Sequence, residues 1–175
     1  MQHVNVKIFA AQADIDLAEA IPVFHHWIQE RVAPELLIDV ADYKHVPDGP
    51  GVMLIGHEAD YSIDDSGGRR GLLYNRKAIG DDDAQAALAQ AYNSAVSAAK
   101  RLEADPAFAG RLKFDYDNIA IILNDRLLAP NSEATWNSLK PDFEKFFAGA
   151  LGEGNFSIKR IGEPRDRFSV EITHK

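Results

Sequence analysis

The chain has 175 residues, 46% hydrophobic and 26% charged, with a formal net charge of −8 and no cysteine. This composition is that of a globular chain, and it excludes disulfides, thiolate metal centres and cysteine nucleophiles. The acidic balance counts against a nucleic-acid binder, which needs a clustered excess of Lys and Arg.

Met1 to Lys7 lacks a basic stretch followed by an apolar one, and the longest apolar run, Ile119 to Leu123, is far too short to cross a bilayer. The expectation is a cytoplasmic protein without a membrane partner. Val4, Val6 and Ile8 alternate with Asn5 and Lys7, which reads as a first strand. Asp16 with Glu19 forms a capping box for a first helix, whose apolar face runs from Leu17 to Ile28. Pro22 falls inside that pattern and predicts a kink or a helix start nearby. Leu36 to Tyr43 reads as a second strand, Val46 to Gly51 as a turn, Val52 to Ile63 as one long third strand, and Arg69 to Lys77 as a fourth.

Asp81 to Ala104 is the clearest helix. Aspartates open it, Lys100 and Arg101 lie near its end, and alanines dominate the stripe that would meet a sheet. Leu112 to Leu123 follows as strand, Ser132 to Leu151 as helix, and Asn155 to Ile161 with Arg167 to His174 as a closing hairpin. The expected fold is α+β, a mainly antiparallel sheet with three packed helices in a single domain spanning 1–175. Two β-α-β-β repeats, about 3–77 and 112–175, would flank a connecting helix at 81–105. Pro22 to Ile28 aligns with Pro141 to Phe147, and Met53 to His57 with Val170 to His174, which points to a duplication with pseudo-two-fold symmetry. The aromatics Phe24, Trp27, Phe143, Phe146 and Phe147 recur at helical spacing and are assigned to the core.

The first half, read as β-α-β-β-β with the opening His3-Val4-Asn5-Val6, is similar to a module of the glyoxalase/bleomycin-resistance (vicinal oxygen chelate) family. The resemblance implies two paired modules with metal ligands on the first and last strands of each. Only His3 stands near such a position. Leu72 to Asn75 offers no carboxylate and Leu112 to Leu123 no histidine, so topology is carried and the ligand set is not.

Candidate site residues fall into three groups. His57, Glu58 and His174 are candidate metal ligands, the two histidines in register with the apolar positions of their strands; the competing reading is core histidines bonded to backbone carbonyls. Arg69 and Arg70, with Arg76 and Lys77, form one basic cluster, and Lys159, Arg160, Arg165 and Arg167 another. These are either anion sites or solvated strand faces. Asn124, Asp125, Arg126 and Asn131 lie on a loop delivering chain to a helix N-terminus, a place for ligand contact or for an Asx-turn and cap.

No P-loop, nucleophile elbow, Rossmann fingerprint or zinc-protease helix is present, and no motif names a cofactor. The leading expectation is a small-molecule-binding or protein-interaction module without catalysis of its own, as a monomer or homo-oligomer. The alternative is a metal-dependent enzyme built on His57. A purely structural subunit would require an exposed apolar strip on the helix at Asp81–Ala104.

Overall fold

The computed structural model describes residues 3–77 and 83–175. Its eight described strands are β1 (Val4–Ala13), β2 (Leu37–Tyr43), β3 (Gly51–Gly56), β4 (Ala59–Asp64), β5 (Gly71–Arg76), β6 (Leu112–Leu123), β7 (Phe156–Ile161) and β8 (Phe168–His174). The α-helices are α1 (Ala20–Glu30), α2 (Ala84–Ala104) and α3 (Glu133–Leu151), and short 3₁₀ turns cover Leu17–Glu19 and Ser66–Gly68. The strands form one sheet in the order β2-β3-β4-β5-β1-β6-β8-β7, every neighbouring pair antiparallel. The protein is thus α+β, with helices on an antiparallel sheet.

Alternation along the strands decides which face meets the helices. Val4, Val6 and Ile8 of β1 share that face with Tyr61 and Ile63 of β4, Leu72 and Tyr74 of β5, Ile119 and Ile121 of β6, and Val170 and Ile172 of β8. All are buried in one continuous cluster with Phe24 and Trp27 of α1, Leu88 and Leu102 of α2, and Phe143 and Phe147 of α3. Helix α2 crosses β1, β5 and β6, and its buried Ala87, Ala91, Ala95 and Ala99 let it lie close to them. The strip that a structural subunit would have to expose is therefore packed inward. The opening aspartates Asp81 and Asp82 lie outside the described residues; Asp83 is the observed N-cap, accepting from Ala86 N. Among the described residues, no helix is long and apolar enough to cross a membrane.

The expected capping box is present, with one difference. Asp16 accepts from Ala18 N at 2.8 Å and its own N–H donates to Glu19 Oε1 at 2.9 Å, but it caps the 3₁₀ turn that leads into α1. Pro22 then falls in the first turn of α1, where its missing N–H costs nothing. The Arg111 guanidinium donates to both oxygens of Glu19, at 3.1 and 2.5 Å, tying the start of β6 to this cap. That bond, followed by the Asp16 N–H, holds the Glu19 carboxyl down at about 2 against an ordinary 4.5. A depressed carboxylate stabilises the fold above its unfolded pKa and loses that contribution as pH falls through its folded one. The expected result is that Glu19→Gln lowers the urea midpoint at neutral pH, and that its gap to wild type closes between about pH 4.5 and pH 2. A gap unchanged across that window would show that the pair adds nothing.

Two expectations are corrected. Residues 52–63 are a hairpin, β3 and β4 turning at His57 and Glu58, with Val52 paired to Ile63 and Ile55 to Asp60. A side chain at Gly56 would come within 2.4 Å of the Ala59 carbonyl oxygen, so this close turn needs glycine. The first half is consequently one helix followed by four strands, one more than the β-α-β-β-β module it resembles in sequence. The second half, β6-α3-β7-β8, has the expected pattern. Both halves place their last strand beside their first, β5 on β1 and β8 on β6, and β1 pairs with β6 at the centre. The strands aligned by sequence, β3 and β8, are not equivalent in this arrangement: β8 abuts β6, while β5 and β4 separate β3 from β1.

Candidate functional site

Among the described residues, the other face of the sheet carries no helix, and its centre is polar. Strand register sets its side chains in rows. One row runs Ile55, Asp60, Asn75, Asn5, Ile122, Ser169, and the next Met53, Ser62, Leu73, Lys7, Ala120, Glu171. Polar residues on an uncovered sheet face are usually solvated. Here Asn5, Lys7, Asp60, Ser62 and Asp64 are all buried. They form the floor of a trough, walled by the chain around Asp48–Pro50, the turn at Ser66–Gly67, and the loop and hairpin that bring Asn124, Arg126 and Arg167 over the sheet.

The trough has two adjoining chambers. One, of about 270 Å³, lies over β1, β4 and β5 and is lined by Asn5, Asp60, Ser62, Asp64, Asn75 and Asn124. The other, of about 420 Å³, lies over β1 and β6 and is lined by Lys7, Phe9, Arg69, Ile122, Arg126 and Asp166 among others. Asp48, Ser66 and Arg167 border both. The rim is fastened: Asp48 accepts from Gly67 N at 2.6 Å, and Asp65 N donates to Gly49 O at 3.3 Å. Gly67 takes a φ of 72°, a left-handed conformation suited to glycine.

Charges on the floor are matched internally. Lys7 Nζ donates to Asp64 Oδ1 at 2.5 Å and to Ser66 O at 2.9 Å, and Asp64 also accepts from the Ser66 amide and hydroxyl. Asp60 accepts from Lys77 Nζ at 2.7 Å and from Gly56 N at 3.3 Å. Arg69 pairs with Glu171 and stacks its guanidinium 3.5 Å from the Phe9 ring centroid. Asn5 differs. It is 1% exposed, and its Oδ1 has no hydrogen-bond donor among the described residues. Leaving a buried acceptor unpaired costs about 1–3 kcal/mol, and folded proteins seldom do so.

The expected site residues are dispersed. Asn124, Arg126 and Arg69 come to the trough. Asp125 caps its own loop, accepting from Leu127 N and Leu128 N, and lines a separate cavity against α3. Asn131 is buried as a clamp, donating to Ile161 O and Glu163 O and accepting from Arg160. Arg70 points away from Arg69, held by Asp65 at 2.6 and 2.9 Å and by Ile15 O. His57 and Glu58 are exposed in the β3–β4 turn, so the expectation that His57 lies on an apolar strand face is corrected. His174, at the end of β8, bonds Asp117 through Nδ1 at 3.0 Å. Four strands separate β3 from β8, roughly 24 Å at ordinary strand spacing, so these histidines share no centre. Among the described residues, no group of three or more His, Asp or Glu side chains is placed to hold a metal ion.

The sequence singles out none of Asn5, Ser62, Asp64 and Asn75 as a site residue, and Asp64 reads there as a turn former. The available signal was their chemistry: short amides, hydroxyls and carboxylates where long Lys and Glu side chains ordinarily line a solvated sheet face. No protein-family model matches the chain, and no curated protein does.

Proposed function

We propose that this chain is a binding module that holds a small polar molecule in the trough on the helix-free sheet face. The observation that carries the reading is Asn5, which lines the smaller chamber and whose buried Oδ1 has no donor among the described residues. A ligand hydroxyl or amine would supply that hydrogen bond. Ser62, Asn75 and Asn124 add donors and acceptors around it, which suits an uncharged, hydrogen-bonding group. A binding role fits better than catalysis, because Asp60 and Asp64 are engaged in ion pairs and no histidine lines the chamber among the described residues.

Native mass spectrometry of the purified protein beside its denatured mass tests this. The expected result is added mass in the wild type that disappears on denaturation, and loss of most of it in Asn5→Leu with the fold retained. Equal retention by Asn5→Leu would move the site elsewhere. A bare chain of oligomeric mass would instead favour a protein-contact role, for which Leu127 and Leu128, 89% and 73% exposed, are the leading residues.

A further inference from the structure

We infer that Arg126 and Arg167 form an oxyanion subsite in the larger chamber, and that the molecule proposed above carries a single phosphate or carboxylate on its uncharged head. The inference rests on the trough being a binding site.

Four cations line this chamber: Lys7, Arg69, Arg126 and Arg167. Lys7 is neutralised by Asp64 and Arg69 by Glu171. Arg126 and Arg167 have no side-chain hydrogen bond or ion pair with any described residue. The nearby carboxylates do not claim them: Asp48 accepts from Gly67 N, and Asp166 Oδ2 from Glu163 N at 2.7 Å. Arg126 is exposed and Arg167 half-buried, and both line this one chamber without a carboxylate partner among the described residues. Each offers a planar fork of N–H donors that matches an oxyanion in two-point fashion.

Their backbones are also set in place. Asp125 accepts from Leu127 N at 3.1 Å and Leu128 N at 3.0 Å, and its carbonyl from Ala129 N at 2.9 Å, so Arg126 stands on a closed turn. The same loop meets the residue just before β8 in an isolated bridge between Pro130 and Arg167, and the Arg167 carbonyl accepts from Ser169 Oγ at 3.1 Å. A subsite built on fixed backbone loses less entropy on binding. Arg167 borders both chambers, which puts the oxyanion beside the head group over Asn5 and makes the ligand one continuous molecule. Phe9 and Ile122 give the chamber an apolar floor for the link between the two ends.

The test is an NMR titration of the full chain, following arginine Nε–H signals with inorganic phosphate, and separately with acetate, against a chloride control. The expected result is saturable movement of the Arg126 and Arg167 signals with one of the two oxyanions, which identifies its kind, and none with chloride. Arg126→Gln and Arg167→Lys should each weaken that binding by about tenfold or more, the lysine because it keeps charge but loses the fork. Signals that stay still with both oxyanions, or variants that bind as wild type does, would overturn the subsite. The two readings fail separately. If wild type retains an uncharged molecule that Asn5→Leu loses, the chamber stands and the subsite falls. Arginine signals that saturate while Asn5→Leu keeps all its retained mass would leave the subsite standing and remove the Asn5 chamber.

Discussion

Lys7→Met is expected to destabilise the fold by about 3–5 kcal/mol, because it leaves the Asp64 carboxylate buried without its cation. The two side chains are 5% and 4% exposed and meet at 2.5 Å in the middle of the sheet, so solvent cannot take over the lost partner. The amide and hydroxyl of Ser66 remain on Asp64, but neither carries charge. Asp64→Asn should cost less, since Lys7 keeps the Ser66 carbonyl and its long stem reaches toward the chamber. Replacing both, as Lys7→Met with Asp64→Leu, should recover a large part of the loss, as exchanging a buried pair for apolar groups often does. Urea unfolding of the three variants measures the cycle. Against a total stability of about 5–15 kcal/mol, the first substitution would bring a domain of this size near its threshold. A loss below about 1 kcal/mol would place Lys7 and Asp64 among solvated surface pairs.

The pair also shows why the fold was more legible than the site. Val4, Val6 and Ile8 declare a strand by themselves, and the Asp16–Glu19 box and the Ala-rich stripe of α2 declare helices, because each signal is local. The β3–β4 hairpin leaves no local trace: buried positions are even in Val52 and Leu54 and odd in Ala59, Tyr61 and Ile63, but Met53 and Ile55 are equally apolar, so the odd positions read as one continuous strand face. Reading the run as one strand put His57 on an apolar face that does not exist. The trough floor depends on register across β4, β5, β1 and β6, which no local pattern encodes. Asn5, Asn75 and Asp60 lie far apart in sequence and become one row only when the pairing is known. Similarly, nothing in the spacing of Asn124 to Asn131 separates the loop's clamp, Asn131, from the side chain it presents, Arg126.

Phe147→Ala is expected to cost about 3–5 kcal/mol, the usual range for removing a buried phenylalanine ring. Phe147 is fully buried and joins three elements, meeting Tyr92 of α2 edge-on at 6.1 Å and Phe156 of β7 at 6.1 Å, with Phe146 beside it at 4.9 Å. Helix α3 needs this contact more than most. Pro141 lies inside it and removes one backbone donor, and its only other fully buried ring, Phe143, stacks on Phe168 one turn earlier. Phe147→Leu keeps most of the volume and should lose clearly less in the same urea experiment. The ring lies on the helical side of the sheet, away from the trough, so oxyanion binding by Arg126 and Arg167 in the folded Phe147→Ala protein should match wild type. A variant that keeps its stability would mean α3 is held by Phe143 alone. One that folds but no longer binds would mean that α3 governs the loop at 124–131 through its N-terminus, where Ser132 caps the helix directly after the Asn131 clamp.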